Sequence, residues 1–319
     1  MRPSMWKSGM AASAILLASA LVAACGDASS ETTAPPPSWR PTPASNAVEP
    51  ADTIKNAPAD AWRTVDPANL LLMDLADGSR VAIELAPDFA PVHVANIRAL
   101  ARAGWWDGAA IYRVQDNYVV QWGVNESKTP LPKGVVKLPP AEYDRALAGL
   151  PLRALGYPDS YAPMAGHLDG WPVAWSPETG RAWLTHCYGT VGAGRDLSPD
   201  TGTGGELYAV IGHAPRQLDR NIATVGRVID GMEKLTPYPR GTGALGFYEN
   251  RAQDIAIRQV RLAADLPPGE RPAYEVMRTD SPSFAAYVTG RANRGGAFFD
   301  VPAGGIDLCN APVPTRKKV

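Results

Sequence analysis

Read for alternation, the middle of the chain breaks into short extended segments. Leu70–Leu75 and Ser79–Leu85 flank Asp77-Gly78, and the second run alternates around Val81, Ile83 and Leu85, which predicts a hairpin. Ala90-Pro91 opens a segment with Val94, Ile97, Leu100 and Ala101 on one face, the spacing of an amphipathic helix, and Gly104 is a fitting stop. Ile111–Gly123, IYRVQDNYVVQWG, reads as strand, turn and strand, with Asp116-Asn117 supplying the turn chemistry. Thr190-Val191, Leu207–Ile211, Ala223–Val228 and Ala256–Leu262 are further strands, and Val228–Leu235 suggests a second helix.

The flanks are different in kind. Met1–Ala24 has Arg2 and Lys7 at its start and an apolar Gly9–Ala24 run too short to span a membrane as a mature helix, so it reads as a signal peptide. Its end, Val22-Ala23-Ala24-Cys25, resembles the bacterial lipoprotein lipobox and implies lipidation of Cys25. An ordinary signal peptide cleaved near Ala24 is the plainer alternative. Residues 25–68 are rich in Pro, Ala, Ser and Thr and read as a spacer, with one short helix expected within Ala51–Trp62. Between the strand pair and Tyr188 lies a long stretch, about 124–186, in which Tyr143, Leu147 and Leu150 share a helical face and predict a helix over Pro140–Leu150. It also holds Trp171, Trp175 and Trp183, bulky groups that want burial or a ligand. In 265–319, Ser281-Pro282 is a helix start followed by Phe284, Tyr287 and Val288 on one face. Phe298-Phe299 and Val301 are expected to pack inward, and Pro312–Val319 to be disordered.

Composition narrows the function. The 319 residues carry a formal net charge of -1, which gives no basic footprint for nucleic acid, and 45% hydrophobic content supports a folded core. His93, His167, His186 and His213 show no paired ligand spacing, and no CxxC is present, so no metal site is expected. No GxSxG elbow occurs, and Gly189–Gly194, GTVGAG, lacks the strand–turn–helix setting of a dinucleotide site, so no cofactor is expected.

One arginine, Arg113, interrupts the first half of the central strand pair. By itself it reads as the solvent-side member of an alternating strand. Its context changes that. Gly78–Gly108, then GTVGAG, GELY (Gly205–Tyr208) and LDRNIATVGRVIDGME (Leu218–Glu233), in this order around Ile111–Gly123, resemble the cyclophilin family of peptidyl-prolyl cis/trans isomerases. The resemblance implies a mainly β fold: a closed eight-stranded antiparallel barrel capped by two helices, spanning 69–264, with the insert at about 124–186 and a C-terminal extension, 265–319. Arg113 then matches the family's catalytic arginine, and Gln121 the residue that positions it. Tyr118, Val119, Tyr208 and Leu218 match walls of the proline pocket, and Glu206 falls where the family usually has glutamine. Gln217 and Ile222 stand where many members have tryptophan and histidine, and Ala193-Gly194 replaces a Met-Ala pair. The insert tryptophans are expected to pack on the barrel wall, the alternative being a peptide-binding lip.

The implied function is a monomeric isomerase acting on proline-containing segments of envelope proteins, held by a lipid anchor on the periplasmic face of a membrane. The alternative is a catalytically weak module that binds such segments. With Cys25 lipidated, Cys187 and Cys309 are left as a pair, either disulfide-bonded in an oxidising compartment or two buried thiols.

Overall fold

The computed structural model describes residues 48–124, 129–295, 298–299 and 301–318. The expected signal peptide, Cys25 and the first part of the spacer lie outside the described residues. The stretch 48–68, expected as the end of the spacer, is folded. Helix α1 (Pro50–Asn56) ends at Ala57, where the following Pro58 disfavours helical backbone, so it covers only the first half of the expected segment. Strand β1 (Trp62–Thr64) follows.

The predicted hairpin forms as β2 (Leu70–Leu75) and β3 (Arg80–Leu85). Gly78 takes the left-handed turn position at φ 86°, and Asp77 Oδ1 accepts from Ser79 N at 2.8 Å. Helix α2 (Pro91–Arg102) buries Val94, Ile97, Leu100 and Ala101, as their spacing predicts. Strands β4 (Ala110–Val114) and β5 (Val119–Gly123) form the central pair.

The insert holds a sheet rather than a helix. Its strands are β6 (Arg145–Ala146), β7 (Arg153–Ala154), β8 (Met164–Leu168), β9 (Trp171–Ser176) and β10 (Arg181–Leu184), in the order β6-β10-β9-β8-β7. The helix expected over Pro140–Leu150 is absent because its apolar residues serve two different surfaces. Tyr143 packs on the barrel core, whereas Leu147 and Leu150 pack with Trp171 and Trp175 inside the insert. Glu142 leaves the insert to cap α2, accepting from the backbone N–H groups of Val92 at 2.8 Å and His93 at 3.0 Å. Trp171 and Trp175 bury against Ala86 and Phe89 at the end of β3, which is the packing reading rather than the lip.

The chain then returns to the barrel with β11 (Thr190–Ala193), β12 (Leu207–Val210), β13 (Thr224–Asp230), the single turn α3 (Met232–Leu235) and β14 (Ile255–Leu262). The second capping helix is shorter than expected because β13 keeps pairing with β3 through Asp230, and Gly231, at φ 94°, makes the break. The barrel closes in the order β11-β12-β5-β4-β14-β2-β3-β13, and its pairings are antiparallel. The eight-stranded closed barrel is therefore the fold.

The extension explains why β2 is apolar on both faces. Leu71, Met73 and Leu75 point into the barrel, while Leu70 and Leu72 point out and are covered. The cover is β15 (Tyr274–Met277), which pairs with β1 on one side and with β16 (Thr315–Lys317) on the other, together with α4 (Pro282–Ala292). Ser281 Oγ caps α4, accepting from Phe284 N at 3.1 Å, and Phe284 and Tyr287 are buried beneath it. Two expectations fail here. Thr315–Lys317 is an edge strand rather than a disordered end, and Phe298 and Val301 are 85% and 82% exposed rather than packed. A disulfide between Cys187 and Cys309 joins the end of the insert to the extension.

Where barrel, insert and extension meet, a carboxylate is buried between two guanidiniums. Glu84 of β3 is held by Arg227 of β13 at 2.7 Å and by Arg63 of β1 at 2.6 Å. Burial alone would raise the Glu84 pKa, but the two arginines outweigh it and hold the group below its ordinary value. Arg63 Nε also donates to Asp169 O at 3.2 Å, and Arg227 donates to Gly170 O while lying 4.4 Å from the Trp171 ring centroid. Glu84→Ala removes the carboxylate that both cations share, leaving Arg63 only Asp169 at 3.5 Å, and should cost about 3–5 kcal/mol of unfolding free energy. Urea denaturation of wild type and variant measures it; a loss below about 1 kcal/mol would show that the junction does not depend on this carboxylate.

Candidate active site

Strand register brings the residues singled out by sequence to one face of the barrel wall. Arg113 on β4 lies opposite Gln121 on β5, and Gln121 lies opposite Tyr208 on β12. Opposed residues in a sheet share a face, so the three side chains stand in a row. A bulge in β4 makes this possible. Its register shifts between Ile111 and Arg113, so that Ile111 and Val114 both enter the core while Tyr112 and Arg113 both face outward.

Arg113 is fixed from three directions. Its Nε donates to Leu245 O at 2.7 Å, Nη1 donates to Gln121 Oε1 at 2.9 Å, and Nη2 donates to Gln115 Oε1. Its Cζ lies 5.3 Å from the Phe247 ring centroid and 5.8 Å from that of Tyr118. A guanidinium has five N–H groups, so two remain for a ligand. Burial lowers the Arg113 pKa from its ordinary value, yet an arginine stays charged throughout the range in which proteins work.

Gln121 is held with equal definition. Because Arg113 can only donate, the amide oxygen must face it, and Nε2 then donates to Tyr112 Oη at 3.0 Å and to Glu206 Oε2 at 3.2 Å. Tyr112 Oη donates to the same Glu206 oxygen at 2.6 Å. Burial raises the Glu206 pKa, against the lowering effect of these two hydrogen bonds, and the nearby Asp196 raises it further.

A groove of about 660 Å³ opens beside this row. Val119 and Tyr208 form its apolar floor with Tyr118 and Ile222, and Leu218 adds a wall. All seven residues singled out as catalytic or substrate-binding therefore border one space. Gln217 is not among its lining residues, and Ile222 extends the apolar surface.

Helix α2 and the turn that follows it seat the loop that delivers Glu206. His93 Nε2 is 3.1 Å from Thr201 O, Asn96 Nδ2 donates to Thr203 O at 2.9 Å, and Trp106 Nε1 donates to Gly205 O at 2.9 Å. Gly204 has to be glycine at this contact, since a Cβ there would lie 2.9 Å from Ile97 Cγ1.

Sequence reasoning missed Tyr112, Gln115, Leu245 and Phe247. Tyr112 was legible only as a β-former, because the bulge that turns it outward leaves no periodic trace. Leu245 and Phe247 come from an irregular loop among glycines, far along the chain, and reach the site through a backbone bridge between Phe247 and Arg113. Among the described residues, no group of His, Cys, Asp and Glu could hold a metal ion.

Comparison with known proteins agrees with this geometry. The family described as cyclophilin type peptidyl-prolyl cis-trans isomerase/CLD matches residues 70–260. A probable peptidyl-prolyl cis-trans isomerase of Brucella suis is 30% identical over 179 residues, covering 56% of this chain and 76% of its own. Peptidyl-prolyl cis-trans isomerase B of Bacillus subtilis is 43% identical over 49 residues, 15% of this chain and 34% of its own. The crystal structure of cyclophilin AquaCyp293 from Hirschia baltica superposes with a TM-score of 0.64 at 25% identity, covering 81% of this chain and 94% of that one. With a family match over more than half its length and the barrel and groove described above, this chain belongs to the cyclophilin-type peptidyl-prolyl cis-trans isomerases.

Proposed function

We propose that Arg113 catalyses rotation about X–Pro bonds in envelope proteins, with Gln121 as its positioning partner. The uncatalysed barrier of ~18–20 kcal/mol comes from amide resonance, and no proton transfer or covalent intermediate is needed to lower it. In the twisted transition state the proline nitrogen regains a localised lone pair. An N–H of Arg113 donates to that lone pair, an interaction absent from either planar ground state. Tyr118, Val119, Tyr208 and Leu218 hold the proline ring in both states. The observation that carries this reading is the anchoring of Arg113 by Leu245, Gln121 and Gln115 at the mouth of an apolar groove, with donors left over.

The same reading extends to location. Val22-Ala23-Ala24-Cys25 directs the chain to a lipid anchor outside the cytoplasm, and the Cys187–Cys309 disulfide suits an oxidising compartment. A single acyl chain binds membranes only marginally, so a stable anchor requires more than one.

Arg113→Ala should lower kcat/KM in a proline-isomerisation assay by tens to hundreds of fold, the equivalent of about 2–4 kcal/mol for one lost transition-state donor. Peptide affinity should change far less. Arg113→Lys should also be slow, because an ammonium on a flexible stem cannot make the planar fork that three acceptors hold here. Wild-type activity that survives Arg113→Ala would place the active site elsewhere.

Glu206 gives a pH signature. Its carboxyl titrates higher in the folded protein than in the unfolded chain, so the folded state holds the extra proton between the two values and stability falls as pH rises through that window. Glu206→Gln removes the half-buried charge and should raise the thermal midpoint at neutral pH, with the gain closing as pH falls below the ordinary glutamate range. A difference that is the same at all pH values would contradict this.

Cys25→Ser should move the protein from the membrane pellet to the soluble fraction, or leave it as an uncleaved precursor. Identical partitioning of wild type and variant would end the lipoprotein reading.

A further inference from the structure

Tyr208 is a groove wall whose polar end is tied to a chain of buried polar and charged side chains. It lies opposite Gly192 in the β11–β12 register, and its ring occupies the place of the missing side chain: a Cβ on Gly192 would lie 2.2 Å from the phenol oxygen. Laid across β11 in this way, the hydroxyl reaches His186 Nε2 at 2.9 Å. His186 is fully buried, and its Nδ1 and its backbone N–H both face Asp219 Oδ1, at 3.0 Å and 2.9 Å. A carboxylate only accepts, so Nδ1 carries a proton toward Asp219, and Nε2 shares the second hydrogen bond with the Tyr208 hydroxyl.

The chain continues outward. Arg216 Nε donates to the other oxygen of Asp219 at 2.6 Å, and its two terminal nitrogens fork onto Asp159 at 2.8 Å and 3.0 Å. The side chains of Arg216 and Asp159 are each 2% exposed. Asp159 belongs to the insert, and Arg216 and Asp219 bracket Leu218, a second groove wall. Buried ionic networks of this sort contribute little net stability compared with apolar packing of the same volume. What this one supplies is direction: a single orientation of the phenol, set by a residue outside the barrel.

The geometry points to the insert as a positioning device for the proline groove, acting through Asp159, Arg216, Asp219 and His186 to hold the Tyr208 ring in one place. This rests on the reading of the groove as the proline site. His186 and Asp159 are positioning residues, because neither lines the groove. A wall held before substrate arrives has no side-chain freedom to lose on binding. It contacts the proline equally in ground and transition states, so its loosening raises KM and leaves kcat nearly alone.

The test uses Tyr208→Phe, which removes one oxygen and keeps the ring, and Asp159→Asn, which removes one charge at the far end of the relay. Each is followed by kcat and KM for a proline tetrapeptide and by NMR of the selectively labelled ring at position 208. Both variants should raise KM by roughly two- to tenfold, the cost of ordering one loosened side chain, with kcat within a factor of two and faster ring flipping. A role confined to stability would instead lower the thermal midpoint and leave the KM of the folded protein and the ring motion as in wild type. That result in Asp159→Asn, whatever Tyr208→Phe shows, overturns the inference, because of the two residues Asp159 alone belongs to the insert. Arg113→Ala in the same assay keeps the two readings apart. If it leaves activity intact, the assignment of the groove fails, and ring flipping at position 208 still decides whether the relay holds Tyr208.

Discussion

A carboxylate without water must be met by cations, and at Glu84 the cations come from different parts of the chain. Arg227 is the neighbouring barrel strand's own residue, whereas Arg63 belongs to β1, which precedes the barrel in the chain. Each arginine then carries the connection on to the insert, at Asp169 O and Gly170 O. The barrel would close without this junction, since its inward face is a continuous apolar cluster. The outer layers are oriented by it together with the Cys187–Cys309 disulfide and the hydrogen bonds from Tyr274 to Asp230 and from Thr315 to Ile229 O. Apolar contact between β2 and the extension is non-directional, whereas Arg227, through Nε and Nη2, and Arg63, through Nη1, meet one carboxylate in fixed directions.

The groove shows the same division of labour. Its chemistry stands on three adjacent barrel strands, but what holds each group still lies elsewhere. Helix α2 grips the carbonyls of the loop before Glu206, an irregular loop supplies Leu245 O and the Phe247 ring to Arg113, and the Asp219–His186 pair reaches Tyr208. Catalysis by positioned donors needs them immobile before the substrate twists; most of these supports are hydrogen bonds, and the Phe247 ring adds a cation–π contact on the open side of Arg113.

How much of this could be read from residues alone follows from where the signal is local. Strand β3 and helix α2 were legible because one buried face imposes a period of two or of three to four, and β2, β4 and β5 were legible as runs of apolar and β-forming residues beside turn chemistry. Arg113, Gln121, Tyr118 and Tyr208 were legible through a family pattern. The insert was not. Two of its strands are two residues long, and Tyr143, Leu147 and Leu150 imitate a helical face while packing on separate clusters. Glu142 looked like a helix residue and is the cap of a different helix. Thr315–Lys317 has no strand pattern, because an edge strand over a two-strand platform needs only backbone partners. Phe247 could not be found at all: contact with Arg113 is a property of the loop's path, and nothing in a glycine-rich segment records it.

The order of strands around the barrel has a directional consequence. The groove stands on β12, β5 and β4, and the extension on β2, β3 and β13, which are diametrically opposed in the ring of eight. The first described residues, Val48 and Pro50, lie against Gly290 of α4, within that extension. The chain thus reaches the barrel from behind, and any pull or restraint applied through its N-terminal side acts on the back of the molecule. A load applied at Val48 would be borne by α4 before it reached the strands that carry Arg113, Gln121 and Tyr208.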